Sequence, residues 1–191
     1  MDYPDGATPL DPDELAGLKF SHIQTRADLD QMEQVNIQDG LQWLARQKRV
    51  EVLTESFLRQ LHWRLFAEVW IWAGDFRLSE KNMGVAPEQI SVFLKNLLDD
   101  VNYWIQQQTF EKREIALRFH HRLVQIHLFV NGNGRHARIA TDALLAKVLD
   151  EKSIDWGSGQ LQDAGAHRKS YIEALRQADS GDYQPLMDKF L

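Results

Sequence analysis

Between positions 127 and 138 the chain reads His127-Leu128-Phe129-Val130-Asn131-Gly132-Asn133-Gly134-Arg135-His136-Ala137-Arg138. A neutral imidazole is the side chain best suited to take a proton near pH 7. Glycines let a ligand approach the backbone closely and adopt the positive φ values of tight anion-binding loops. Arg135 and Arg138 are spaced i, i+3 and share one helix face, so two guanidinium forks can grip one polyphosphate. A helix that begins after the glycines adds N–H groups and the positive end of its dipole. Taken alone, these parts fit a phosphate-binding loop with a proton acceptor beside it. They also fit a plain turn between two helices, with solvated arginines.

The frame that must hold this stretch is helical. Apolar residues recur at 3.6-residue spacing along most of the chain, with almost no alternating pattern. Asp11-Pro12-Asp13-Glu14 has the form of a helix start: a capping acid, proline at N1 and acids in the first turn. Thr25 is placed to cap a second helix reaching Leu41 and Leu44. Thr54 is placed to cap a third that runs through Phe66 to Trp70, with Gly74 as its stop. Pro87 opens a fourth and Thr109 caps a fifth that ends near Ile126. A sixth follows Gly134, and closing helices lie near 167–178 and 183–191. Residues 75–86 are the least helical interior segment and are expected to form a short β-hairpin or flap. The expected fold is all-α, a helical bundle of six to eight helices with that hairpin. Residues 1–53 are read as an N-terminal arm and helices, and 54–191 as one compact unit.

Composition narrows the function classes. The 191 residues are 43% hydrophobic and 26% charged, as in an ordinary globular protein. Without cysteine there is no disulfide, thiolate ligand or thiol nucleophile, and the composition is compatible with a reducing cytoplasm. The acidic N-terminus does not read as a signal peptide, and no apolar run is long enough to span a bilayer. A formal net charge of −6 argues against nucleic acid as the partner. His120, His121 and His136 are read as packing or hydrogen-bonding groups. The tryptophans, Trp63, Trp70, Trp72 and Trp104 among them, are read as core.

The stretch 127–138 resembles the signature of Fic-domain proteins, H-x-F-x-(D/E)-G-N-G-R-x-x-R, at every fixed position but one. Trp72-Ala73-Gly74-Asp75-Phe76-Arg77 is similar to the family segment that precedes its target-binding flap. Tyr171-Ile172-Glu173-Ala174-Leu175 and Gly181-Asp182-Tyr183-Gln184-Pro185-Leu186 are similar to its C-terminal helices. The N-terminal part resembles the Fic subgroup labelled mobile mystery protein B.

The resemblance implies a Fic-like helical fold and a protein adenylyltransferase, which moves AMP from ATP to a Ser, Thr or Tyr hydroxyl of a target protein. It implies His127 as general base and Phe129 as a buried anchor. Gly132, Asn133 and Gly134 would form the anion hole, Arg135 would hold the β-phosphate region and Arg138 the γ-phosphate. Lys81, Asn82, Met83, Gly84 and Val85 correspond to the flap, which aligns an extended target segment by strand addition.

The one departure is Asn131, which stands where the family has the acidic ligand to Mg²⁺ or Mn²⁺. An amide oxygen brings no charge, so the metal position is weakened. Doc-type kinases carry lysine where this chain has Gly134, so their reversed nucleotide orientation is not implied. Many family members also carry an inhibitory glutamate that pairs with the second arginine. Glu33 is the best-placed residue for that part, although Leu29 and Gln34 depart from the pattern around it, and the preferred reading is an exposed helix residue. Two further readings stay open: a Fic enzyme that removes AMP, and a nucleotide-binding or interaction module without catalysis.

Overall fold

In the computed structural model, residues 10–20, 25–157 and 165–191 are described. The expected arm before residue 10 and part of the loop after Trp156 lie outside them. Eight α-helices run through the described residues: α1 Pro12–Leu15, α2 Arg26–Arg46, α3 Glu55–Phe66, α4 Ile90–Gln107, α5 Lys112–Ile126, α6 Asn133–Leu144, α7 Ala166–Asp179 and α8 Gln184–Phe190. A 3-10 turn, Pro87–Gln89, leads into α4, and a π-helical turn, Leu145–Leu149, continues α6.

Helix starts follow local chemistry. The Thr25 hydroxyl accepts from Asp28 N–H at 3.1 Å and the Thr54 hydroxyl from Phe57 N–H at 3.2 Å. Each satisfies a donor that helix geometry leaves without a partner. Thr109 is not a cap; Glu111 precedes α5 instead.

α3 ends at Phe66 rather than continuing to Trp70. Beyond it the backbone pairs with the segment after α1. Ile71 N–H donates to the Gly17 carbonyl and Lys19 N–H to the Val69 carbonyl, each at 2.9 Å. These bonds compensate the helical ones given up.

The core is continuous. Leu58, Leu61 and Leu65 of α3, Leu94 and Leu97 of α4, Phe119 and Leu123 of α5 and Ala140 and Leu144 of α6 are all buried. α5 and α6 form its centre, with α3 against α6 and α2 laid across α3. Asn36 of α2 fixes that crossing: its amide donates to the Arg64 carbonyl at 3.1 Å and accepts from Glu68 N–H at 2.9 Å. Of the tryptophans, Trp70 is core, but Trp63 is 47% exposed.

No hairpin forms at 75–86. Among the described residues the only bridges are Leu18 with Trp70 and Phe76 with Phe129. Arg77 N–H donates to the Leu128 carbonyl at 3.0 Å and Val85 N–H to the Ile126 carbonyl at 3.3 Å. Two donors that a hairpin ladder would use are thereby turned toward the α5–α6 connection.

Candidate active site

His127 is the C-cap of α5 and adopts left-handed φ 58°, ψ 67°. A histidine tolerates this region better than most residues, and the turn ends α5 and sends the chain across to α6. Gly132, the N-cap of α6, has φ 77°. A Cβ there would lie 2.7 Å from the Phe66 ring, so both conformation and space require glycine. Phe129 is fully buried and stacks on His62 at 3.7 Å between ring centroids, the anchor expected of it.

Asn133 is buried, and both ends of its amide are used. Oδ1 accepts from Phe129 N–H at 2.9 Å and Nδ2 donates to the Phe129 carbonyl at 2.7 Å. The side chain therefore clamps the loop. What this position can offer an anion is the backbone N–H of the first turn of α6, which helix geometry leaves without an intrahelical acceptor.

Both arginines have protein partners. Arg135 Nη1 meets Glu33 Oε2 at 2.6 Å, and its guanidinium lies over the Phe66 ring at 4.9 Å. Glu33 is 4% exposed, and its other oxygen accepts from Trp70 Nε1 at 2.7 Å. The glutamate is thus not the exposed helix residue expected of it: it is buried between Trp70 and the first arginine, and it does not meet the second. Arg138 lies near Tyr171, whose hydroxyl is 2.8 Å from His120 Nε2. Burial lowers the Arg138 pKa, and the charges of Arg135 and Arg168 act in the same direction.

His127 is buried, and its pKa is lowered to about 4, first by burial and then by the Arg77 charge. At neutral pH it is an uncharged base. Arg77 is 1% exposed and serves the backbone on both sides. Nε donates to the His127 carbonyl at 2.7 Å, Nη1 to the Ser79 carbonyl at 2.9 Å, and Nη2 to the carbonyls of Val85 and Ile126. One guanidinium therefore ties the expected flap to the histidine.

Within residues 81–85, Gly84 has φ 105°, and a Cβ there would lie 2.7 Å from His127 Cβ. Asn82 is exposed and Met83 and Val85 partly so. Lys81 is held by α1: its ammonium meets Asp11 at 2.9 Å and Glu14 at 2.5 Å, and its side chain is 3% exposed.

His136 Nε2 lies 2.9 Å from the Leu58 carbonyl, and His121 lies between Tyr183 and Asp179. Both have the hydrogen-bonding character expected of them. Sequence reasoning passed over His62 and gave no separate part to Arg77. The available signal was a polar residue on the apolar face of α3, since buried polar groups have partners.

The loop's donor set does not fit a resident divalent cation. Asn131 Oδ1 accepts from Gly132 N–H at 2.6 Å, and no group of three or more His, Asp or Glu suited to a metal occurs among the described residues. Hard cations prefer carboxylates. The one carboxylate bound to a signature arginine here is Glu33, already engaged by Arg135.

This geometry belongs to a known class. The model of the Fic/DOC family matches residues 52–145, and that segment is a Fic domain. Among curated proteins it is 26% identical over 145 residues to "Protein adenylyltransferase Fic" of Aedes aegypti, covering 72% of this chain and 27% of that protein. The namesake from Nematostella vectensis is 28% identical over 148 residues, covering 73% and 32%. The chain thus spans only about a third or less of these relatives' length.

Among solved structures it resembles the Bartonella tribocorum BepC protein with bound AMPPNP, at a TM-score of 0.69 and 18% identity over 94% of this chain and 96% of that one. Fic-1 of C. elegans follows at 0.66 and 20% identity, over 91% and 50%. These likenesses establish the shared fold. No helix among the described residues is long and apolar enough to cross a membrane.

Proposed function

We propose that this chain is a protein adenylyltransferase that moves AMP from ATP to a Ser, Thr or Tyr hydroxyl of a target protein. The observation that carries the reading is the join of α5 to α6. A buried, uncharged His127 ends one helix, and residues 128–132 lead straight into the N-terminus of the next, which bears Arg135 and Arg138. The family match and the adenylyltransferase names of the curated relatives support it.

In this reading the target hydroxyl oxygen attacks the α-phosphorus. A new P–O bond forms as the bond to the bridging oxygen of pyrophosphate breaks, and the hydroxyl proton passes to His127. The low pKa keeps the imidazole free to accept, and nearby phosphate charge raises its basicity once nucleotide binds. Backbone N–H groups at the start of α6 and the two guanidiniums hold phosphate oxygens and stabilise the charge that develops there. Arg135 does so by exchanging Glu33 for phosphate, which gives Glu33 an inhibitory part. The target strand lies along residues 81–85. Mg²⁺ or Mn²⁺ arrives on the nucleotide, and no step depends on a protein-held ion.

The test is incubation with labelled ATP and candidate targets. His127→Ala is expected to lower labelling about 10²–10⁴-fold while ATP affinity by calorimetry stays near the parental value. Parental labelling by the variant removes His127 from the mechanism. The engaged amide of Asn131 favours one second reading, a nucleotide-binding module, which predicts ATP binding with no labelling in the parent protein.

A further inference from the structure

His62 stands in the middle of α3, fully buried, with both ring nitrogens committed. Gly74 N–H lies 2.9 Å from Nδ1, and the Asn131 carbonyl lies 3.0 Å from Nε2. A backbone N–H can only donate and a carbonyl can only accept. Nδ1 is therefore the acceptor, and Nε2 carries the proton and donates. The two contacts fix one neutral tautomer. Burial lowers the pKa well below its usual value, with His136 adding to the effect. Phe129 fixes the ring plane by stacking on it.

The Asn131 carbonyl belongs to the same planar peptide as Gly132 N–H. In a trans peptide these two groups point to opposite edges. Holding the carbonyl toward α3 therefore aims the N–H the other way, where it donates to Asn131 Oδ1 at 2.6 Å. Through one peptide plane, the imidazole on α3 sets the direction of the side chain at position 131, at the entry to the anion loop. Its other nitrogen holds Gly74, where the segment leading to the flap begins.

We propose that His62 is a positioning residue for this site: its fixed tautomer orients the 131–132 peptide, and with it the residue-131 side chain beside the nucleotide phosphates. The inference rests on the adenylyltransferase reading for its effect on rate, but its geometric content stands apart from activity.

Three variants separate the contacts. His62→Gln places an amide N–H near the position of Nε2. His62→Asn places an amide oxygen near Nδ1 and leaves Asn131 without its donor. His62→Phe removes both contacts and keeps the ring. The Gly132 amide resonance, followed by NMR in the full chain, is expected to keep its parental position in His62→Gln and to move in the other two. Labelling kcat is expected to fall between about tenfold and a hundredfold in His62→Asn and to recover in His62→Gln, with both variants melting at similar temperatures. Should His62→Phe fail to fold, the Gln and Asn pair carries the comparison alone. An unmoved Gly132 resonance in His62→Asn, or a Gln variant as displaced as Asn, overturns the proposal. A parent protein that binds no nucleotide overturns the functional reading instead, and the Gly132 resonance still decides the positioning role.

Discussion

The two ends of the signature stretch are held in opposite ways. At the histidine end, Arg77 donates to four backbone carbonyls, all within the protein. None of these acceptors carries a net charge, and no phosphate need compete for the guanidinium. At the arginine end, Arg135 is bound by the Glu33 carboxylate, an anion in the place where a phosphate oxygen would serve equally well. The first end is scaffold. On the proposed adenylyltransferase reading, the second is a ligand site whose protein partner must yield. Burial alone does not separate them, since Arg77 and Glu33 are both buried. The separation lies in whether the partner is a neutral carbonyl, which has no rival, or a carboxylate, which does.

The largest effect is expected from breaking the scaffold end. Arg77→Lys keeps the charge but loses the planar fork, so it cannot serve four carbonyls. A stability loss of about 3 kcal/mol is expected from buried carbonyls left without a donor, together with near-complete loss of labelling. Denaturant melts and labelling measure both. A variant as stable and active as the parent would dissolve the contrast between the two ends.

The next effect concerns the buried histidines on which both ends lean. His127 and His136 are lowered to about 4 and His120 to about 3, in each case chiefly by burial. Between about pH 6.5 and pH 4 the unfolded chain binds protons that the folded chain refuses. Stability is therefore fully present above that window and is lost as pH falls through it. Thermal melts at neutral pH and near pH 5 should show a clear drop; equal melting temperatures would mean that these rings are not held uncharged.

The smallest effect, and the one that sharpens the comparison, is Glu33→Gln. The amide oxygen still accepts from Trp70 Nε1, so little stability is lost, but the carboxylate leaves Arg135. ATP affinity is expected to rise roughly tenfold, a change of about 1.4 kcal/mol. His127→Ala in the same assay should leave affinity alone. If Glu33→Gln binds ATP no better, Glu33 is scaffold like the partners of Arg77.

What the sequence made legible follows from distance along the chain. The signature spans twelve consecutive positions from His127 to Arg138, and the Thr25 and Thr54 caps act over three residues. Each can be read because its geometry is local. The overrun of α3 to Trp70 came from an apolar stripe that periodicity cannot tell from a buried turn; the pairing of Ile71 with Gly17 decides it. The pairing of Glu33 with Arg135 joins residues 102 apart, and that of Lys81 with Asp11 residues 70 apart. Such contacts depend on how α2 crosses α3 and where α1 lands, which no local pattern encodes. The side-chain part of Asn133 was out of reach for a related reason. The backbone of Phe129, four residues earlier, takes both ends of its amide, which leaves the Asn133 backbone N–H as the group that faces an anion.

Glu14 of α1 bonds Lys81 through one carboxylate oxygen and the Ser79 hydroxyl through the other, and its backbone carbonyl accepts from Trp72 Nε1. This has a practical consequence for anyone excising the domain. The segment recognised by the family model begins at residue 52, yet a fragment cut there would lose the fastening of residues 79–81 to α1 and the counter-anion of Arg135 together. Such a fragment would keep every letter of the signature but, on the adenylyltransferase reading, would present an unbuckled substrate edge and an unguarded phosphate cradle. Assayed alone, it would be expected to overstate nucleotide uptake and understate discrimination among targets. On that reading the functional unit begins before the recognisable one, and expression boundaries, tags and fusions are best placed upstream of Asp11.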